Sequence, residues 1–133
     1  MLKSKKDLKP FSAANNVPNL LGTWTNELQS TMTITSVTGG NFVGTYASAV
    51  STPGGSVTGT LSGAFSGNAI SFVVNWGPAL ASTSAWSGLI LTDGSPDLLY
   101  LYTLWNVAET PDQPGNWWES ILAGSDFFVK ISP

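Results

Sequence analysis

Gly-Thr-Trp-Thr-Asn-Glu-Leu-Gln-Ser, residues 22–30, is the stretch of sequence that decides the fold. In it Trp24, Asn26 and Leu28 alternate with hydroxyl, carboxyl and amide side chains, and this period of two is typical of a strand with one buried and one solvated face. Asn26 is the exception on the apolar face, because a buried amide without a hydrogen-bond partner costs about 1–3 kcal/mol. We therefore expect Asn26 to have a partner, either in the protein or in a ligand.

The rest of the chain consists of short segments rich in Thr, Val, Ile, Trp, Tyr and Phe, separated by clusters of Gly, Pro, Asn, Asp and Ser. Such segments at intervals of about 8–12 residues are typical of an antiparallel barrel or sandwich. Eight strands are predicted, near residues 20–28, 31–38, 41–50, 56–64, 69–77, 81–91, 98–107 and 121–131. They predict an all-β fold, an eight-stranded antiparallel up-and-down β-barrel whose interior holds side chains or one small ligand.

The length of 133 residues predicts a single folded domain. We expect a flexible N-terminal tail over residues 1–19, a barrel domain over residues 20–133, and one helical turn opened by proline at Pro114–Ser120. The basic start is not followed by an apolar segment, so no intact secretory signal peptide is predicted. The longest nearly apolar run, Leu98–Trp105, has about eight residues where a bilayer needs roughly 20, and a soluble protein without a membrane partner is expected.

Composition excludes several functional classes. The sequence has no Cys and no His, which rules out disulfides, thiolate or imidazole metal sites and the usual Ser or Cys catalytic triads. Four of the five Lys lie in the first ten positions, and from residue 11 onward one Lys accompanies seven acidic residues. A domain of that charge binds phosphate backbones poorly, so neither a metal nor a nucleic acid is an expected partner.

The acidic residues do not predict an enzyme either. A glycosidase needs two carboxyl groups about 5–9.5 Å apart across the bond that it cleaves. We expect Asp126 to have no carboxyl partner inside the barrel, because the other acids are predicted in turns or on outward positions. A general base, an activated nucleophile and a phosphate clamp are also missing, which favours a binding protein.

Six motifs in order give the chain a resemblance that spans Leu21 to Ile131. The motifs are Gly22-Thr-Trp-Thr-Asn-Glu-Leu-Gln-Ser30, Gly44-Thr-Tyr-Ala-Ser-Ala-Val50, Phe72-Val-Val-Asn-Trp76, Ser82-Thr-Ser-Ala-Trp-Ser-Gly88, Leu104-Trp105 and Trp118-Glu-Ser-Ile-Leu-Ala-Gly-Ser-Asp-Phe127. With these motifs the chain resembles the avidin and streptavidin family of biotin-binding proteins. The resemblance implies high-affinity, non-catalytic binding of biotin inside the barrel, with biotin sequestration as the role it suggests.

The resemblance also implies roles for residues around the ureido ring of biotin. Asn26, Ser30 and Tyr46 would donate to the ureido carbonyl oxygen, as the donors of an oxyanion hole do. Asp126 and Ser48 would accept from the two ureido N–H groups, and the ionised acceptor would make its hydrogen bond charge-assisted.

Further roles follow for the rest of the ligand. Ser84 would face the ring sulfur, and Ser82 together with the backbone after Ser51 would receive the valerate carboxylate. Three indoles would enclose the bicyclic ring, those of Trp76, Trp86 and Trp105.

The resemblance implies a homo-oligomer as well, with a tetramer favoured. Trp118 would reach into the site of a neighbouring subunit, together with the apolar side chains of Val50 and Val107. Family members are mostly secreted or periplasmic, and we expect the same of this protein.

Strand parity agrees with these assignments, because the proposed contacts within each strand lie on one face, and a shift of one residue would scatter them over both faces.

Two other binding functions make different predictions. A lipocalin-like carrier of an apolar ligand predicts a mostly apolar cavity, in which the polar residues would have no use. A carbohydrate-binding module would need its Trp residues on the outer face, where they can stack on sugars.

Overall fold

The structure is a computed structural model that describes residues 7–12, 17–52, 55–94, 98–111, 115 and 121–132, without the side chains of residues 50–52, 55–56 and 132. The predicted helical turn at Pro114–Ser120 lies outside the described residues except for Gly115. The side chains of Val50, Ser51 and Trp118 lie outside them too. No helix in the described ranges is long and apolar enough to cross a membrane.

Apart from single 3₁₀-helical positions at Asp7 and Gly115, the secondary structure of the described residues consists of strands. Their bounds are β1 Lys9–Pro10, β2 Gly22–Asn26, β3 Thr31–Thr38, β4 Asn41–Thr52, β5 Gly55–Ser66, β6 Ala69–Asn75, β7 Ser82–Thr92, β8 Leu99–Glu109 and β9 Ile121–Ser132. From β2 to β9 each strand pairs antiparallel with the next, and β9 pairs back onto β2. The predicted eight-stranded up-and-down barrel is thus confirmed.

The closed end of the barrel is filled with apolar side chains. Trp24 is completely buried, and its indole N–H donates to the carbonyl oxygen of Leu20 at 3.0 Å. Around it lie buried side chains from most of the strands, among them Met32, Ile34, Ile70, Ile90, Leu101 and Phe128. Because the polar atom of the largest side chain has a partner, this end gains hydrophobic stabilisation without an unpaired donor.

The other end of the barrel is open. Along β8 the inward-facing residues are buried at Leu101 and Thr103, half-buried at Trp105 and Val107, and exposed at Glu109. This increase in exposure along β8 shows which end of the lumen is closed and which is open. Its floor lies beside Leu101 and its mouth beside Glu109.

The short strand β1 lies within the segment predicted as a tail, and the sequence did not predict it. Lys9 and Pro10 pair with the end of β7, and the backbone N–H of Phe11 donates to Ile90 at 2.8 Å. Since the pairing of β6 with β7 ends at Leu89, the last residues of β7 have a free edge there. β1 covers that edge and satisfies its backbone groups.

Candidate ligand site in the barrel lumen

Polar and aromatic side chains surround a cavity of about 130 Å³ in the upper half of the lumen. Ten of the fourteen residues predicted for the site line it, and Leu28 joins them. The lining residues are Asn26, Leu28, Ser30, Tyr46, Ser48, Trp76, Ser84, Trp86, Trp105, Val107 and Asp126. Of the other four, Ser82 lies nearer the mouth, and the side chains of Val50, Ser51 and Trp118 are outside the described residues.

Asn26 has its partners in the protein. Its side-chain oxygen accepts from the backbone N–H groups of Leu28 and Ser30, at 3.1 and 3.0 Å. The turn that brings these groups back over Asn26 contains Gln29 with a positive φ of 66°, a conformation that costs energy for a non-glycine residue. Because the oxygen is engaged, the amide nitrogen is the atom that Asn26 offers to the lumen, where it donates to the hydroxyl of Tyr46 at 3.3 Å.

Ser30 and Tyr46 complete a group of three neutral donors with Asn26. The Ser30 hydroxyl oxygen accepts from the backbone N–H of Ala49 at 3.1 Å, so the hydroxyl can act as a donor, and it lies within reach of the Tyr46 hydroxyl. Burial, followed by the negative charge of Asp126, raises the pKa of Tyr46 well above its usual value, so its phenol stays protonated. This side of the cavity is therefore suited to an uncharged, polarised oxygen acceptor.

Asp126 supplies an acceptor without a donor. Its Oδ2 accepts from the indole N–H of Trp86 at 2.9 Å, and the Thr103 hydroxyl donates to its backbone carbonyl at 3.1 Å. Its Oδ1 is buried and accepts no hydrogen bond of normal geometry from the described residues, although the Asn26 amide and the Glu27 carboxyl lie near enough to influence the pKa of Asp126. A buried acceptor in that state costs free energy, which a ligand donor would recover.

The environment of Asp126 also changes its protonation. Burial raises the pKa of Asp126 to about 6, against the lowering effect of the Trp86 hydrogen bond, and Glu27 adds a further increase. Glu27 was predicted on the outward face of the first strand, but β2 ends at Asn26 and Glu27 lies in the turn that follows; its carboxylate accepts from the backbone N–H of Phe127 at 2.9 Å. Asp126 is thus ionised above about pH 6 and carries a proton below it.

Aromatic rings form the walls of the cavity. Tyr46 lies 5.0 Å from Trp86 and 5.7 Å from Trp76 between ring centroids. The Trp76 indole donates to the Ser84 hydroxyl at 2.8 Å, which fixes both side chains. Trp105 lies against the backbone of Gly124, where an added Cβ would clash with the indole ring.

The inward position of these indoles decides between the alternatives. Trp76, Trp86 and Trp105 line the lumen and do not form an outer stacking face, which a carbohydrate-binding module would need. The lumen also contains Asn26, Ser30, Ser84 and Asp126 as buried polar residues, which the cavity of a lipocalin-like carrier would not require. In the described part of the chain, no group of three or more His, Cys, Asp or Glu could hold a metal ion.

The mouth differs from the prediction at one residue. All acids other than Asp126 were expected in turns or on outward positions, and for Glu109 this was wrong. β8 continues two residues beyond its predicted end, so Glu109 shares the inward register of Trp105 and Val107. It pairs directly with Ser82, and both line a second cavity of about 560 Å³ at the rim.

Comparison with known proteins agrees with the fold and shows the family. The model of the avidin family matches residues 14–131. The chain is 32% identical to afifavidin from Afifella pfennigii, over 96% of this chain and 80% of that protein. Its structure is similar to that of xenavidin, with a TM-score of 0.73 and 26% identity over 85% of this chain and 98% of the other. A biotin-binding protein from chicken gives a TM-score of 0.72 and 26% identity, over 84% of this chain and 95% of the other.

Proposed function

Because the chain belongs to the avidin family, whose members bind biotin and are not enzymes, we propose that this protein binds biotin with high affinity in the lumen of its barrel. The observation that carries the proposal is the unpaired Oδ1 of Asp126, buried in the same cavity as three neutral donors. A cyclic urea has one strong acceptor between two N–H donors. That pattern complements the cavity.

The ureido carbonyl oxygen would receive hydrogen bonds from Asn26, Ser30 and Tyr46. These donors are already oriented by contacts with the protein, so little free energy is lost in ordering them when the ligand binds. One ureido N–H would donate to Oδ1 of Asp126 and the other to Ser48. The negative acceptor makes its hydrogen bond charge-assisted, which is stronger than a bond between neutral groups.

The bicyclic ring would then lie between the indoles, with its sulfur beside Ser84. Trp86 is placed for this role from two sides, since Phe72 stacks on it at 5.0 Å and Asp126 accepts from its N–H. The aromatic walls exclude water, and the hydrogen bonds at the ureido end are stronger in such an environment. From there the valerate chain would lead past Ser84 towards Ser82 and Ser51.

Assembly is part of the proposal. The outer face of the barrel carries a groove of about 860 Å³ whose lining includes the exposed side chains of Val43, Val73 and Leu104. An exposed apolar patch of this kind is typical of a protein interface. We infer a homo-oligomer that uses this face, with a tetramer favoured, Trp118 contributed to a neighbouring site, and secretion or a periplasmic location as in the family.

Thermal unfolding with and without biotin tests the proposed ligand. A ligand that binds only the folded protein stabilises it by about 2.7 kcal/mol at one hundred times its Kd, so excess biotin should raise the melting temperature. A pentanoate-substituted thiolane without the ureido ring is the control and should not raise it. An equal response to both compounds, or none to biotin, would contradict the proposal.

Sedimentation tests the proposed assembly. The wild-type protein should sediment as an oligomer, and Trp118→Ala should weaken the oligomer and release biotin faster. A variant with the mass and the biotin off-rate of the wild type would exclude a shared site.

A further inference from the structure

We propose that Glu109 makes the site selective for biotin whose carboxyl group is joined in an amide, such as biotinyl-lysine in a peptide, over the free acid. This inference rests on the proposed function, because it concerns the far end of the same ligand. It goes beyond that function by naming the chemical form of biotin that the mouth accepts best.

The first observation is the position of Glu109 in the strand register. Ser84 and Val107 pair across β7 and β8 and line the ligand cavity, and the next inward pair towards the mouth is Ser82 with Glu109. Residues directly opposite each other in an antiparallel pair have Cβ atoms about 4.5–5.5 Å apart. A ligand carboxylate held by Ser82 would therefore lie close to the carboxylate of Glu109.

The second observation is the distribution of charge along the barrel. After Lys9 the sequence has a single further cation, Lys130, and this residue pairs with Trp24 and donates to the backbone of Asn19 at 2.9 Å at the closed end. Lys9 pairs with Thr92, also at the closed end. Among the described residues no cation lies at the mouth to balance Glu109, so a second carboxylate there meets repulsion that a neutral amide avoids.

The third observation is the cavity of about 560 Å³ at the rim, beside Ser82 and Glu109. Its lining also includes Asn75, Thr83 and Ala108, which belong to the outward register, so the cavity lies over the edge of the barrel wall, where a chain leaving the mouth would pass. Thr110 anchors the 77–81 turn beside it, since the backbone N–H and the hydroxyl of Thr110 both donate to Ala81, at 2.9 and 3.1 Å. Apart from Glu109 these groups are uncharged, and they fit the amide and backbone of a lysine-linked peptide better than they fit an anion.

Competition binding with two ligands tests the proposal. Free biotin and an acetylated, amidated biotinyl-lysine differ at the valerate end and share the ureido end. At low ionic strength, where the Debye length is about 30 Å, the wild-type protein should bind the amide about fivefold to tenfold more tightly than the acid, as expected for one repulsive contact at a partly solvated site. At about 1 M salt, where that length is about 3 Å, the difference should shrink.

Glu109→Gln should remove this preference by strengthening the binding of the free acid and leaving the amide unchanged. Asp7→Asn is the matched control, because it removes the same charge from an exposed position outside the barrel, and it should keep the wild-type preference. An equal affinity for both ligands in the wild type, or a preference that Glu109→Gln does not change, overturns the role of Glu109 and leaves biotin binding intact. Failure of the wild type to bind either ligand overturns the proposed function and this inference together.

Discussion

The two halves of the barrel are built by the same eight strands, but they differ in how their buried polar groups are paired. At the closed end Trp24 is fully buried and its indole N–H has a partner in Leu20. In the upper half Asp126 is almost as buried, and its Oδ1 accepts no hydrogen bond from the part of the chain that the structure describes. The comparison shows that the closed end contributes stability to the empty protein, whereas the lumen gives up stability that a ligand can restore.

The largest effect is expected from removing the closed-end indole. Trp24→Ala should destabilise the protein by about 3–5 kcal/mol, since it leaves a cavity and an unpaired carbonyl at Leu20. Urea unfolding measures this loss, and Trp24→Phe should lose less because it keeps most of the volume. A loss below about 1 kcal/mol for the Ala variant would mean that the closed end does not hold the barrel together.

A change in the lumen should move stability and affinity in opposite directions. Asp126→Asn removes the buried charge and keeps an oxygen for the Trp86 N–H, so at about pH 8 the empty variant should melt above the wild type. It should bind biotin at least about 2 kcal/mol more weakly, because the charge-assisted bond is lost. Scanning calorimetry measures the melting temperature of the empty variant, and titration calorimetry measures its affinity for biotin. A variant that is less stable than the wild type and binds biotin equally tightly would refute the contrast between the halves.

In the wild-type protein, stability and biotin affinity should also change in opposite directions when the pH changes. The pKa of Asp126 is raised to about 6 from the ordinary value of 3.8, so the folded state binds a proton in this window that the unfolded state does not. The contribution of Asp126 to the stability of the empty protein therefore increases as the pH falls from about 6 towards 4. Biotin affinity should do the reverse and fall by up to about tenfold per pH unit below about pH 6, and Asp126→Asn should lose this dependence.

The smallest effect is expected at the wall of the cavity. Gly124→Ala would place a Cβ against the ring of Trp105, and we expect biotin affinity to fall by about 1 kcal/mol because the half-buried indole must shift to relieve the contact. A Gly→Ala change at Gly94 would not serve as a control, because Gly94 has a positive φ of 102° that alanine adopts only with strain. Ala123→Gly, at the neighbouring exposed position in β9, removes a methyl group from the same strand and should leave affinity unchanged.

Much of the fold could be predicted because the turns contain residues, such as glycine, that favour turn conformations. β3 and the start of β4 match the prediction, since Gly39 lies between them with a positive φ of 61° and glycine favours that conformation. β1 could not be predicted in the same way. Its partner is the end of β7, about 80 residues along the chain, and its formation depends on where β6 ends.

The candidate site was predictable in its membership but less so in its chemistry. Parity along each strand placed Tyr46, Ser84 and Asp126 on one face, and the structure brings them into one cavity. The unpaired Oδ1 and its raised pKa depend on distances between strands that a linear pattern does not contain. Glu109 was assigned to the wrong environment because a two-residue error at the end of a strand decides whether a residue is inside or outside the register. The ligand roles of all fourteen residues stay predictions, and the side chains of Val50, Ser51 and Trp118 lie outside the described residues.

Proton release on biotin binding tests the central claim most directly, since it reports on the acceptor itself. At about pH 6 the empty site should be about half protonated at Asp126, and the ureido N–H makes the stronger, charge-assisted bond to Oδ1 only with the ionised carboxyl, so biotin should favour that form. Titration calorimetry in two buffers of different ionisation enthalpy should then show the release of about half a proton per biotin at this pH, and almost none at about pH 8. Binding without proton release at about pH 6, or with proton uptake, would contradict the account.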